Sequence, residues 1–151
     1  MRRLLPLMFV FASLIYIPMA HADDMIIKKS SHSVKVTLDR LETALKEKGI
    51  AVVARWDHAG AAKGVGMSLR PMEVLIFGNP KLGTPLMQSK PHAGADLPLR
   101  VLAWEDGKGQ VWVAYTKADA LAARYDIRDQ DEVVKKMAAA LDGLTDQAIH
   151  P

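Results

Sequence analysis

The chain has 151 residues, with 20 Lys and Arg against 17 Asp and Glu, and no cysteine. The missing cysteine excludes disulfide staples, thiol nucleophiles, thiolate metal ligands and a lipid-modified cysteine, so packing must supply the stability. Setting aside Arg2 and Arg3, which belong to a distinct leader, leaves 18 basic against 17 acidic residues, a balance that makes no electrostatic case for binding nucleic acid.

The leader comes first. Arg2 and Arg3 precede an apolar run from Leu4 to Ile17, and Ala20 and Ala22 then form a small-residue A-x-A site. This is the pattern of a secretory signal peptide over residues 1–22. A membrane span needs roughly 20 apolar residues, and this run is shorter and contains Pro6. The expectation is a periplasmic or secreted domain over residues 23–151 that has no membrane partner once the leader is removed.

Met25–Lys29 reads as a short strand. From Val34 the apolar residues Leu38, Leu41, Ala44 and Leu45 recur at helical spacing, with Ser33 as N-cap and Gly49 as stop. Ile50–Trp56 is β-branched and strand-like. Asp57–Pro71, rich in small residues, reads as a loop with at most one helical turn. Met72–Gly78 is a strand, and Asn79–Pro91 a short helix that ends at proline. Leu97–Asp106 and Gln110–Thr116 are two strands joined through Asp106-Gly107-Lys108-Gly109, a hairpin signal. Ala118–Ile127 is helical. A strong final helix carries its stripe on Val133, Val134, Met137, Ala140, Leu141 and Leu144, with Asp129 or Asp131 as cap.

The order strand, helix, four strands, helix predicts an α+β fold: a mainly antiparallel sheet with helices on one face. The strands do not alternate cleanly. Val74 to Phe77, Val101 to Trp104 and Val111 to Tyr115 are continuous apolar runs, whereas a sheet with one wet face should alternate. Something is expected to cover the second face: a homodimer partner first, a bound apolar ligand or the short helices otherwise.

The residues Phe77-Gly78-Asn79-Pro80, Leu86-Met87, Leu97-Pro98-Leu99-Arg100, Glu105-Asp106, Trp112 and Tyr115 together resemble the bacterial domain-of-unknown-function-302 family. The resemblance runs from about Met25 to Ala123. Trp56 departs from it, since an aliphatic residue is more usual there. It implies a TATA-binding-protein-like α+β arrangement in the same order of elements. It implies no catalytic residue, substrate or cofactor.

Candidate site residues are therefore read from the chain itself. Asn79 is a good N-cap, Pro80 suits a first helical turn, and Lys81 adds charge beside exposed N–H groups. A strand-to-helix switch explains these residues without any ligand, and an anion or small-ligand site is the alternative. Glu73, Arg100 and Glu105 are polar positions on or beside apolar strands. They fit an ion-pair network, or a pocket in which Arg100 binds a carboxylate and Glu105 acts as base. His58 stands at a strand end before a glycine-rich stretch. Together, His58, Glu73, Asn79, Lys81, Arg100 and Glu105 are the candidate ligand-binding residues.

No Gly-x-Ser-x-Gly, His-Glu-x-x-His or phosphate-binding glycine loop occurs. His58, His92 and Glu105 would make a metal site only if the fold gathered them, and Met67, Met72 and Met87 lack the clustering of a copper site. No metal or cofactor is expected. The leading expectation is a non-enzymatic, dimeric domain that binds a small molecule or a protein. The alternatives are an enzyme using His58, Glu105 and Arg100, and a periplasmic metal-binding protein.

Overall fold

The structure, a computed structural model, describes residues 24–151; the leader and its cleavage site lie outside the described residues. The elements run β1 (Met25–Ser30), α1 (Val34–Glu47), β2 (Ala51–Asp57), α2 (His58–Gly64), β3 (Met72–Gly78), α3 (Pro80–Ser89), a 3-10 helix (Pro91–Ala95), β4 (Leu99–Glu105), β5 (Val111–Thr116), α4 (Ala118–Arg124) and α5 (Asp131–Ile149). Five strands form one sheet in the order β1-β5-β4-β3-β2, every neighbouring pair antiparallel. This is the expected α+β class and order.

Local chemistry sets the element ends. The Ser33 side chain accepts the Val36 N–H at the start of α1, and the helix stops just before Gly49. Its buried residues, Val34, Thr37, Leu38, Leu41, Ala44 and Leu45, lie on one stripe facing the sheet and α5. Truncating one of these leucines to alanine costs about 2–5 kcal/mol. In the β4–β5 hairpin Asp106 accepts the N–H groups of Lys108 and Gln110 and the indole N–H of Trp112. Gly109 takes the positive φ, +79°, that closes this turn. Two details depart from expectation. The small-residue stretch holds a full helix, α2, capped by Asp57 on the Gly60 N–H. At α5, Gln130 holds the cap position without a side-chain capping bond, Asp131 is already inside the first turn, and Asp129 accepts the Ser89 hydroxyl.

Register assigns the faces. Arg55, Leu75 and Val101 are cross-strand neighbours on the side of α1 and α5. Trp56, Val74, Leu102, Ala114 and Ile27 form the parallel row on the other side. That row is apolar from edge to edge, as the unbroken runs predicted. Its centre is buried or half-buried, while Trp56 and Ile27 at its ends remain 56% and 55% exposed. The core lies between the sheet and the helices: Leu38, Leu41, Leu75, Val101, Val113, Met137 and Leu141 are almost completely enclosed.

Candidate functional site

Where β3 ends, α3 does not close down on α5, and an apolar pocket of about 420 Å³ remains. Five pieces of chain make its walls. Ile50, Ala51 and Val53 come from the start of β2, and Phe77 to Pro80 from the switch out of β3. Leu82, Gly83, Thr84 and Met87 come from α3; Leu97 to Leu99 lead into β4; Met137, Ala140, Leu141 and Leu144 are the face of α5 that looks in. None of the lining side chains is ionisable.

The sequence builds this corner for stated reasons. Gly78 passes so close to Pro98 that a Cβ there would sit 3.2 Å from the proline Cβ. The Asn79 side chain accepts the Lys81 N–H at 3.0 Å, and Pro80 occupies the first turn of α3. Pro85 inside α3 removes another amide donor. A helix weakened in this way, with only Leu86 fully buried, leaves room between itself and α5.

Of the candidate residues, Asn79 is in the pocket wall, but its oxygen is already used as a cap. Lys81 is exposed on the first turn of α3. Arg100 lies at the same end of the sheet, at the start of β4, and binds Asp96 at 3.2 Å. Glu105 ends β4 at the opposite edge of the molecule, 3.9 Å from Arg70. His58 opens α2 at that far end too, and Glu73 accepts the Arg55 Nε at 2.6 Å. The structure therefore does not bring His58, Arg100 and Glu105 to one cavity. Among the described residues no group of three or more His, Asp or Glu is placed to hold a metal ion.

Two polar clusters escaped the sequence reading. Arg55 reaches Glu73, Asp39 at 2.7 Å and Glu42 at 3.2 Å. Burial works against its charge, but these carboxylates outweigh that effect and hold its proton more tightly than usual. A lone arginine inside the apolar Ile50–Trp56 run was the available signal. Asp96 accepts from Arg124 at 2.6 Å, from the Tyr125 hydroxyl at 2.8 Å and from Arg100. Burial raises its pKa, yet the Tyr125 and Arg124 bonds more than offset this and leave it below the usual carboxylate range. This knot pins the segment whose next residues, Leu97 to Leu99, form a pocket wall.

A crystal structure of an uncharacterised conserved protein of the DUF302 type from Bacillus stearothermophilus shares the fold with a TM-score of 0.76, at 20% identity, over 84% of this chain and 99% of that one. Two proteins named Fluoride-specific ion channel FluC 1, from Brucella suis biovar 1 and Brucella abortus biovar 1, are each 41% identical over 136 residues. The match takes in 88% of this chain but 54% and 50% of those relatives, so the chain spans about half their length. These names correct the expectation of no membrane partner, because ion channels are membrane proteins. Among the described residues no helix is long and apolar enough to cross a membrane. The family model described as a domain of unknown function, DUF302, matches residues 26–144, and the chain belongs to that family.

Proposed function

We propose that this is a non-enzymatic binding domain of the extracytoplasmic space that takes up a small, uncharged, apolar molecule between α3 and α5. The observation that carries this reading is the pocket itself. Its volume of about 420 Å³ falls in the range of about 300–1,000 Å³ common for small-ligand sites. Its lining has no ionisable side chain that could act as general acid or base, so the Thr84 hydroxyl in the wall has no activating partner there. The test uses protein recovered from the periplasmic fraction, whose N-terminus is expected at Asp23. Titration with the neutral fluorophore N-phenyl-1-naphthylamine is expected to give saturable, one-to-one binding. Ala140→Phe, which places a ring in the pocket from α5, is expected to weaken that binding at least tenfold without loss of thermal stability. Equal binding by the variant, or none by the parent, removes the reading.

A second reading rests on the relatives. The Brucella proteins are named for a fluoride-specific channel, and this chain matches only about half of each. Because the matching half here has no membrane-crossing helix among its described residues, we infer that such a domain is a water-facing companion of a membrane-embedded half. Fluoride itself is an unsuitable ligand for the pocket. An unpaired anion is costly to strip of water, and no cationic side chain lines the walls. Deleting from one of the Brucella proteins the half that this chain matches should therefore leave fluoride selectivity intact while changing how efflux is regulated. Efflux from whole cells that is unchanged in every respect would end the companion role.

A further inference from the structure

At the end of β3 remote from the pocket, the chain leaves α2 and crosses to Met72 as Lys63-Gly64-Val65-Gly66-Met67-Ser68-Leu69-Arg70. Three large apolar side chains alternate with three of the smallest residues. The apolar ones point to solvent: Val65 is 74% exposed, Met67 68% and Leu69 44%. A positive φ of +75° at Gly66 turns the backbone here, and the Val65 and Met67 amides both bond back to the Ala62 carbonyl. The segment is thus an ordered turn holding apolar side chains outward. Trp56, near the end of β2, adds a further exposed apolar surface at the same end of the sheet.

Large apolar side chains left in water by a well-packed domain mark a contact surface. The chemistry of the flanks identifies the occupant. Lys63 and Arg70 bracket the apolar residues, both exposed. Asp57 keeps its charge while capping the Gly60 N–H at 2.8 Å, and Glu105 pairs only loosely with Arg70, at 3.9 Å. Three protruding side chains separated by glycine and serine offer far less than the roughly 800 Å² per partner of a standard protein interface. They are enough to enter the headgroup boundary of a bilayer, where apolar burial and attraction of flanking cations to anionic lipid act together.

We propose that the Lys63–Arg70 turn docks the domain on an anionic lipid surface, with Val65, Met67 and Leu69 entering the interface and Lys63 and Arg70 contacting headgroup phosphates. This surface is separate from the pocket, so either reading survives failure of the other.

The test is co-sedimentation of the whole mature domain with sucrose-loaded vesicles of phosphatidylglycerol and phosphatidylethanolamine, against vesicles of phosphatidylcholine alone. Binding is expected to the anionic vesicles, weakened severalfold by salt. V65S/M67S/L69S is expected to bind at least tenfold more weakly while keeping the parental circular dichroism spectrum and melting temperature, since all three side chains are exposed. K63Q/R70Q is expected to lose most of the salt dependence and to bind severalfold more weakly. A parent that stays in solution at millimolar anionic lipid overturns the proposal and leaves the turn as a contact for protein. Triple-variant binding equal to the parent overturns it as well.

Discussion

Arg55 ties the helix side of the sheet to α1. Its guanidinium joins β2 to β3 through Glu73 and to α1 through Asp39 and Glu42. Five donors in a rigid, planar fork let one arginine hold three carboxylates in fixed directions, which the rotatable ammonium of a lysine does not impose. Asp39 is held below the usual carboxylate range by Lys35 first and by Arg55 second, against a small opposing effect of burial. A carboxylate with a lowered folded-state pKa stabilises the fold above its unfolded value, near 3.9. That contribution is lost as pH falls through the lower folded value. Asp96 and Asp142 shift in the same direction, the latter chiefly through the Lys28 ammonium. The domain is therefore expected to lose stability steeply below about pH 4. Arg55→Met should cost about 2 kcal/mol at pH 7, since charged hydrogen bonds contribute about 1.5–3 kcal/mol each and partial exposure reduces that. The deficit should shrink toward pH 3 as Asp39 takes up its proton. Urea midpoints at pH 7 and pH 3.5 measure both; an R55M deficit that is the same at the two values would mean that the carboxylates are not its source.

At the scale of elements, much was legible because neighbours decide it. The stripe of α1 from Val34 to Leu45, the cap at Ser33, the limits of β3 at Met72 and Gly78, and the Asp106–Gly109 hairpin all follow from spacing and capping within a few residues. The unbroken apolar runs likewise announced the apolar row that crosses the second face from Trp56 to Ile27. What escaped depends on residues far apart in the chain. The register shift between Val52 and Ala54 on β2 has no signature in the valine-rich run that contains it. α2 was hidden because Gly60 and Gly64 lower helix propensity, while the Asp57 cap and contact with β3 restore the helix. The candidate site shows the same division. Asn79-Pro80 was readable as a strand-to-helix switch. The pocket beside it exists because α3, with Pro85 inside, stands off from α5. Met137, Ala140, Leu141 and Leu144 carry the same periodicity whether they face a core or a cavity. Asp96, Arg124 and Tyr125 meet only after the chain has traversed β4, β5 and α4.

For the molecule as a whole, the open question is what holds β1 at the sheet edge, since β5 is its only strand partner among the described residues. The last helix supplies the answer. Lys28 on β1 donates to Asp142 at 2.6 Å, Asp146 at 2.7 Å and Thr145 at 3.0 Å. The turn after β1 is tied to the end of α5: the Ser31 N–H donates to the Ile149 carbonyl at 3.0 Å, and Arg40 donates to the carbonyls of Gln147 and His150. Ala148 and Ile149 are buried in the same seam. Many chain termini fray at little cost; this one is expected not to. Deleting residues 147–151 removes the burial of Ile149, worth about 1.5–3 kcal/mol, and leaves Ser31 and Arg40 without those acceptors, at about 1 kcal/mol each. The combined loss, about 4 kcal/mol, is a large part of the roughly 5–15 kcal/mol that separates folded from unfolded domains. Equilibrium urea unfolding should register it as a lower midpoint. Hydrogen exchange should place the weakening first in the β1 amides, while β3 and β4, paired on both sides, keep their protection until global unfolding. A loss below about 1 kcal/mol, or exchange that accelerates evenly over all five strands, would show that α5 stabilises the core without specifically securing this edge.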